Sequence, residues 1–566
     1  MGYQIEQSRC SGCHRCRVEC PVDAISFRNH KYWIDPDKCV SCGHCAQVCH
    51  NEAICDPDAP VSVQHLDPVT LNCDVLVIGG GASGLVAAAR AASKGKKVIV
   101  LEKNKELGGS GWYAHVFRNY WSKWHEEAGL TDPRPQVYRE FMEKTQGSVN
   151  PKLLRRVLDA NADLVNWLID DHDLGRDFKL GEMFWGGYGL AGTYEWEYNF
   201  KRIDTTIGPG GTGWYMTNKM NDILLKNGGQ VFCHAEAKEL LTDESGAVIG
   251  AVAETPERTM TVHAKAVVVA AGAFTHNKEL MAKFQPRFYN DVDEPVHAFT
   301  CPTCTGDGIL MCDELGADID YHNARAAMFG PMRHPYGTCS LMACLYPSSV
   351  RVNSNGETFD SDTQMLPESP LSFQPGRYCW CVMTEQDMAA AMKANMGKPD
   401  ELPGVQMDSH YANWQEELEF EYPSGSIFKC GTLEELAEKM NVPYANLKAS
   451  VDHYNEEVRS GKRSAKSMDM GMGAVGEIRT IEEGPFYGIF MKLFHENALG
   501  GVIIDENTAV LRNGQPIPGL FATGDNTRGL MLHGPIGSTY IEGTISALTF
   551  ALCSGFIAGE ECAKLV

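Results

Sequence analysis

Cys73-Asp-Val-Leu-Val-Ile78-Gly79-Gly-Gly81-Ala-Ser83-Gly84-Leu85 decides the fold of most of this chain. Asp74–Ile78 is an unbroken apolar run, the pattern of a parallel strand buried on both faces. Gly79-x-Gly81-x-x-Gly84 follows, then an alanine-rich helix over Leu85–Lys94. A second strand over Lys97–Leu101 ends in Glu102, 18 residues after Gly84. One glycine motif alone is a weak signal, but here strand, glycines, helix, strand and acid come in order. The glycines permit a tight turn and let a pyrophosphate approach a helix N-terminus. Glu102 then stands where an acid accepts hydrogen bonds from an adenosine ribose. The stretch predicts a Rossmann-like dinucleotide site.

Three later segments resemble those of flavoproteins. Glu102-Lys103-Asn-Lys-Glu-Leu-Gly108-Gly109-Ser110-Gly111 is similar to their second FAD-contacting loop. Val267-Val-Val-Ala-Ala271-Gly272 resembles their later strand and turn, and Gly519-Leu-Phe-Ala-Thr-Gly524-Asp525 their C-terminal segment, where an acid meets the ribityl chain. The resemblance implies FAD held against Gly79, Gly81, Ser83, Gly84, Glu102, Lys103, Gly109, Ser110 and Gly111. It adds Ala237, Ala271, Gly272, Asp307, Gly524, Asp525, Gly537 and Ser538. No covalent-flavin histidine segment comes after Gly108 and Gly109, so the FAD is expected to be noncovalent. A second glycine run, Gly208-x-Gly210-x-x-Gly213, follows no clear strand and has no acid after it. It is expected as a substrate- or flavin-side loop before a helix over Trp214–Lys226, which leaves no separate NAD(P)H site.

The N-terminus carries different chemistry. Cys10-x2-Cys13-x2-Cys16-x3-Cys20 is repeated 29 positions later as Cys39-x2-Cys42-x2-Cys45-x3-Cys49. The flanks repeat too, with Ala-Ile ending both Cys20-Pro-Val-Asp-Ala-Ile and Cys49-His-Asn-Glu-Ala-Ile, so the unit is an internal duplication. Thiolates two residues apart can wrap one face of an iron–sulfur cubane, and in this pattern the fourth cysteine of each run serves the other cluster. One [4Fe–4S] cluster is therefore assigned to Cys10, Cys13, Cys16 and Cys49, and the second to Cys39, Cys42, Cys45 and Cys20. Two zinc sites are the alternative, but zinc seldom takes eight thiolates in such runs. Residues 1–57 resemble a bacterial two-cluster ferredoxin, with His50 where a proline is usual.

Composition narrows the rest. The 566 residues are 43% hydrophobic and 22% charged, ordinary globular values. Fifty Lys and Arg against 73 Asp and Glu give a net charge of −23, which argues against nucleic acid as a partner. There is no apolar leader and no run of about 18 apolar residues, so a soluble, cytoplasmic protein without a membrane span is expected. Thirteen further cysteines are expected mainly as small buried hydrophobes. Cys301-x2-Cys304, Cys379-x-Cys381 and Cys312 keep a further metal site as the alternative. Trp185–Phe200, rich in aromatics, can line a substrate entrance or simply pack; both readings stay open.

Residues 72–566 look like the flavoprotein family of fumarate reductase, urocanate reductase and the ketosteroid dehydrogenases. Thr305-Gly-Asp307-Gly308, Arg333-His334-Pro335, Val350-Arg-Val-Asn-Ser-Asn-Gly356 and Gly500-Gly501-Val-Ile-Ile-Asp505 carry the resemblance. It implies an α/β fold: an N-terminal α+β ferredoxin-like module, then a Rossmann-like FAD domain split by an inserted α+β cap. The expected divisions are 1–57 ferredoxin, 58–72 linker, 73–321 and 489–566 FAD domain, and 322–488 cap. Thr358 stands where fumarate reductases keep a proton-donating arginine. Met342 and Leu345 replace a relaying Glu and Arg, and about Pro535 replaces a carboxylate-gripping Arg. His334, His533 and Tyr540 remain as candidate acids. The implied activity is reduction of an activated C=C bond, of enone or enoate type rather than fumarate. Electrons would come through the clusters from a ferredoxin, a flavodoxin or a partner oxidoreductase. The alternatives are a dehydrogenase running in the opposite direction and an electron-transfer subunit of a larger complex.

Overall fold

The computed structural model of the chain describes residues 2–7, 9–10, 15–28, 31–49, 52–57, 65–114, 117–145, 149–182, 198–202, 212–284, 297–298, 300–320, 328–331, 348–359, 374–396, 415, 418, 422, 425, 427–463, 477–495, 500–530 and 547–566.

Strand β1 (Val75–Ile78) and helix α1 (Ala82–Ser93) open the dinucleotide half, and β2 (Val98–Leu101) follows. β3 (Ala266–Val269) and β4 (Gln515–Ala522) come from far along the chain. The sheet order is Gln230–Phe232, β2, β1, β3, β4, Ala509–Arg512, and every pair is parallel except the last. β1, β2 and β3 are buried at every residue, as parallel strands covered on both faces must be. α1 buries Leu85–Ala89 against this sheet. On its other side lies the C-terminal helix α2 (Ala547–Leu565). Gly555 permits the approach: a methyl there would collide with the Ser83 carbonyl.

A second sheet runs Glu236–Thr242, Val248–Glu254, Thr259–His263, Val69–Asn72. Its last strand falls in the stretch expected as linker. Val69–Asn72 pairs in parallel with Met260–His263, and its partner lies about 190 positions away, beyond the reach of local pattern. A further sheet, mostly from the stretch expected as the cap, is built round Phe486–His495, which bonds to Tyr378–Thr384, Ile427–Cys430, Met328–Pro331 and His297–Ala298. This strand runs through the expected division between 488 and 489, because neighbours along its length hold it in one sheet. Helices Leu433–Met440 and Tyr444–Arg459 cover that sheet, with Trp380, Leu436, Leu447 and Tyr454 in a core of their own.

The N-terminal module keeps the duplication in its geometry. Helices Arg15–Val18 and His44–Gln47 stand 29 positions apart, and so do strands beginning at Ile25 and Ile54. Asp23 and Glu52, also 29 apart, both take positive φ, at 46° and 48°. Among the described residues no helix is long and apolar enough to cross a membrane.

Candidate functional site

The glycine turn builds the first wall of the site. Gly79 has φ +107°, and a methyl there would strike the Ala270 carbonyl. A methyl on Gly84 would strike the Gly79 carbonyl, so α1 can sit close under the turn only without a side chain there. Gly81, the residue before α1, offers no side-chain cap, which leaves the first N–H groups of a 12-residue helix directed to the turn.

A cavity of about 1160 Å³, counting space open to solvent, lies over this turn. Gly79, Gly81, Ser83, Glu102, Lys103, Gly109, Ser110, Gly111, Ala237, Ala271, Gly272, Asp307 and Asp525 line it. These are thirteen of the seventeen cofactor residues expected from sequence. Gly84 and Gly524 stand behind the wall: Gly524 packs on Ser83, where a methyl would lie 2.6 Å from its Oγ. Gly537 and Ser538 lie outside the described residues, as do His334, His533, Tyr540, Met342, Leu345 and Pro535. Gly213 approaches the Gly111 carbonyl closely and donates its N–H to Ala114 O at 2.9 Å, so the second glycine run ends beside the cavity. Thr358 is exposed on the cap and donates its N–H to Ser450 Oγ at 2.9 Å.

Each polar wall residue has a distinct setting. Glu102 is buried; its Oε2 accepts from Gly80 N–H and its Oε1 from Asn104 N–H, both at 2.7 Å. Burial pushes its carboxyl above the usual range, while those two N–H groups pull it down. Lys103 Nζ bonds Asp307 Oδ2 at 2.5 Å and Thr305 Oγ1 at 2.6 Å, which fixes a cation at the cavity edge. Asp525 is partly accessible from the cavity, yet the protein packed round it pushes its carboxyl up to about 6. Acids for hydroxyls, an uncapped helix and a fixed lysine for phosphates, and glycines for close approach together fit a dinucleotide.

Sequence reasoning missed Cys301, Thr303, Cys304, Ala547, Leu548 and Ala551, which also line the cavity. The signal for the first three was their place directly before Thr305-Gly-Asp307. For the α2 residues there was none beyond their small size.

In the N-terminal module, Cys20, Cys39, Cys42 and Cys45 line one small cavity with Tyr3, Ile25 and Ile34. Burial first, then the neighbouring thiols, push Cys45 up to about 11. Four thiols round one small cavity are a donor set that a cationic cluster satisfies. Among the described residues no group of three or more His, Cys, Asp or Glu is placed to hold a metal ion. Backbone N–H groups point at the last sulfur of each run: Ala24 to Cys20 Sγ at 3.3 Å and Ala53 to Cys49 Sγ at 3.2 Å. Cys16 and Cys49 are buried in the module core with Cys10 against them, and Cys13 lies outside the described residues. Cys379 and Cys381 are buried in a cap strand, and Cys312 in the helix Asp307–Glu314.

Comparison with known proteins agrees with both parts. Residues 74–535 match the family model described as FAD binding domain. The chain belongs to that family. Residues 9–53 match the model for a 4Fe-4S dicluster domain, so this member carries iron–sulfur ligands as well. It is 26% identical to the urocanate reductase of Eggerthella lenta over 90% of this chain and 76% of that one. It is 24% identical to the vinyl phenol reductase of Lactiplantibacillus plantarum over 87% of this chain and 96% of that one. Its fold is similar to the open conformation of a flavocytochrome c3 fumarate reductase, with a TM-score of 0.68, 24% identity, and 88% and 78% of the two chains covered.

Proposed function

We propose that this family member is an FAD and iron–sulfur dependent reductase of an activated C=C bond, of enone or enoate type. The observation that carries the reading is one chain with two sets of redox-cofactor donors: the dinucleotide cavity and the duplicated cysteine runs. When bound, FAD supplies hydride transfer and joins one-electron to two-electron chemistry.

The chain's own residues then have assigned work. Glu102 accepts the ribose hydroxyls, α1 and Lys103 face the pyrophosphate, Asp307 holds Lys103 in place, and Asp525 meets the ribityl chain. The FAD is noncovalent. Cys10, Cys13, Cys16 and Cys49 hold one [4Fe–4S] cluster, and Cys39, Cys42, Cys45 and Cys20 hold the other. A ferredoxin, a flavodoxin or a partner oxidoreductase delivers electrons to them. His334, His533 or Tyr540 gives the proton. The thiol-rich composition supports a cytoplasmic setting.

Fumarate is a poor substrate on this reading. Thr358 and about Pro535 replace two arginines, and each charge-assisted hydrogen bond lost costs about 1.5–3 kcal/mol. The test is turnover by the purified anaerobic chain, with reduced viologen as donor, over enones, cinnamates, steroids, enoates and fumarate. Activity on a weakly charged conjugated alkene with negligible fumarate reduction is expected. Fumarate turnover at rates typical of enzymes, or no turnover of any alkene, overturns the reading.

A further inference from the structure

Cys301-Pro302-Thr303-Cys304 stands directly before the helix Asp307–Glu314. Pro302 presets the second position of a tight turn, and Cys304 N–H donates to Cys301 O at 2.9 Å to close it. A turn of this kind brings its first and fourth Cα atoms within about 7 Å, the span a disulfide bridges. Both side chains line the dinucleotide cavity, and both residues are buried, at 4% and 6% exposure.

The sulfurs are not joined. Cys301 Sγ lies 3.0 Å from Thr303 Oγ1, and Cys304 Sγ lies 3.4 Å from Ser110 Oγ. Ser110 Oγ also accepts the Cys301 N–H at 3.0 Å, so one hydroxyl ties the turn to the glycine loop Gly109–Tyr113. Burial pushes both thiols up, Cys304 to about 12, and keeps them protonated at rest. Cysteines that merely fill space have no need of a proline turn, paired hydroxyl partners and a common face on a cavity.

We propose that Cys301 and Cys304 are a reversible oxidation site in the cavity wall, and that their disulfide weakens the protein's hold on the dinucleotide. The inference rests on the cavity being the FAD site. A bound cofactor covers the little that both residues show to the cavity, because they line the space it fills; its departure lets a small oxidant reach them from the cavity side. Two S–H bonds then break and one S–S bond forms. The two electrons and two protons pass to dioxygen, giving hydrogen peroxide, or to a diazene, giving the hydrazine. Closure draws Cys304 Sγ off Ser110 and Cys301 Sγ off Thr303, which disturbs the loop that carries Ser110 and Gly111 in the same wall.

The test strips FAD from the full chain anaerobically with bromide and treats half with the diazene diamide. Peptide mass mapping of 301–304 and FAD rebinding, followed by flavin fluorescence, are then measured. The treated peptide is expected to lose two hydrogens. FAD should rebind about fivefold to tenfold more weakly, the size of one buried hydrogen bond, and dithiothreitol should restore it. Cys301→Ser and Cys304→Ser are expected to rebind FAD equally with and without diamide; all arms share the module thiols, so those cancel. Should a serine variant not accumulate, Cys301→Ala supplies the arm without a disulfide. Two free thiols after diamide, or a disulfide with unchanged rebinding, overturns the proposal and leaves the cofactor reading intact. Failure of the untreated chain to take up FAD overturns both.

Discussion

Asp525→Asn should stabilise the FAD-free protein, and only above a definite pH. Burial lifts the carboxyl from an ordinary 3.8 to about 6. The folded state then binds the proton more tightly than the unfolded state. Its contribution to stability is complete below pH 3.8 and is lost as pH rises through 6. That rise, at about 1.36 kcal/mol for each pH step, sets an upper value of about 3 kcal/mol at neutral pH. Asparagine carries no charge to desolvate and removes that cost. Unfolding entropy of about 2.1 cal/mol/K per residue, over the roughly 460 residues of the matched domain, converts 3 kcal/mol into about 3 °C. Melting curves of FAD-free wild type and variant from pH 4.5 to pH 8 provide the assay. The variant's advantage should grow through pH 6 and level off above it. A difference that does not change with pH, or a variant less stable at pH 8, refutes the reasoning. FAD affinity should move the other way, because the variant has lost an anionic acceptor for ribityl hydroxyls.

Gly79→Ala forces a side chain into φ +107° against the Ala270 carbonyl, so FAD affinity should fall roughly fivefold to 150-fold, at about 1–3 kcal/mol of strain; unchanged affinity would show that the turn can move. Anaerobic wild type should hold about eight irons and one FAD, and Cys45→Ala about four irons with FAD kept; zinc in place of iron ends the cluster assignment. NADH and NADPH should reduce the flavin slowly or not at all, while a low-potential one-electron donor reduces it fast. Rapid bleaching by NADH alone contradicts this.

The parts legible in sequence are those whose partners are close in the chain. Gly79, Gly81, Gly84 and Glu102 belong to one strand–turn–helix–strand unit, so spacing alone places them together. The cysteine runs are legible for the same reason, and their repeat survives as repeated helices and N–H···S bonds. Val69–Asn72 was opaque because the flanking prolines suggest a tether, while its strand partner begins at Met260. The extent of strand Phe486–His495 was opaque because it owes its place to strands hydrogen-bonded along its edges, not to its own pattern. Cys301 and Cys304 were visible as a pair, but their facing the cavity depends on Ser110, nearly 200 positions earlier.

The packing of α2 on α1 has a consequence in time. Ser83 and Gly555 meet backbone to side-chain site, yet they are 472 positions apart (555 − 83). A ribosome adding roughly 5–20 residues per second takes on the order of 25–95 s to travel between them. Through that interval the nascent strand and its glycine turn wait without the helix that supplies Ala547, Leu548 and Ala551 to the cavity. The flavin compartment is therefore sealed late in synthesis, and a chain halted before residue 547 presents an open nucleotide cleft to whatever folding factors attend it.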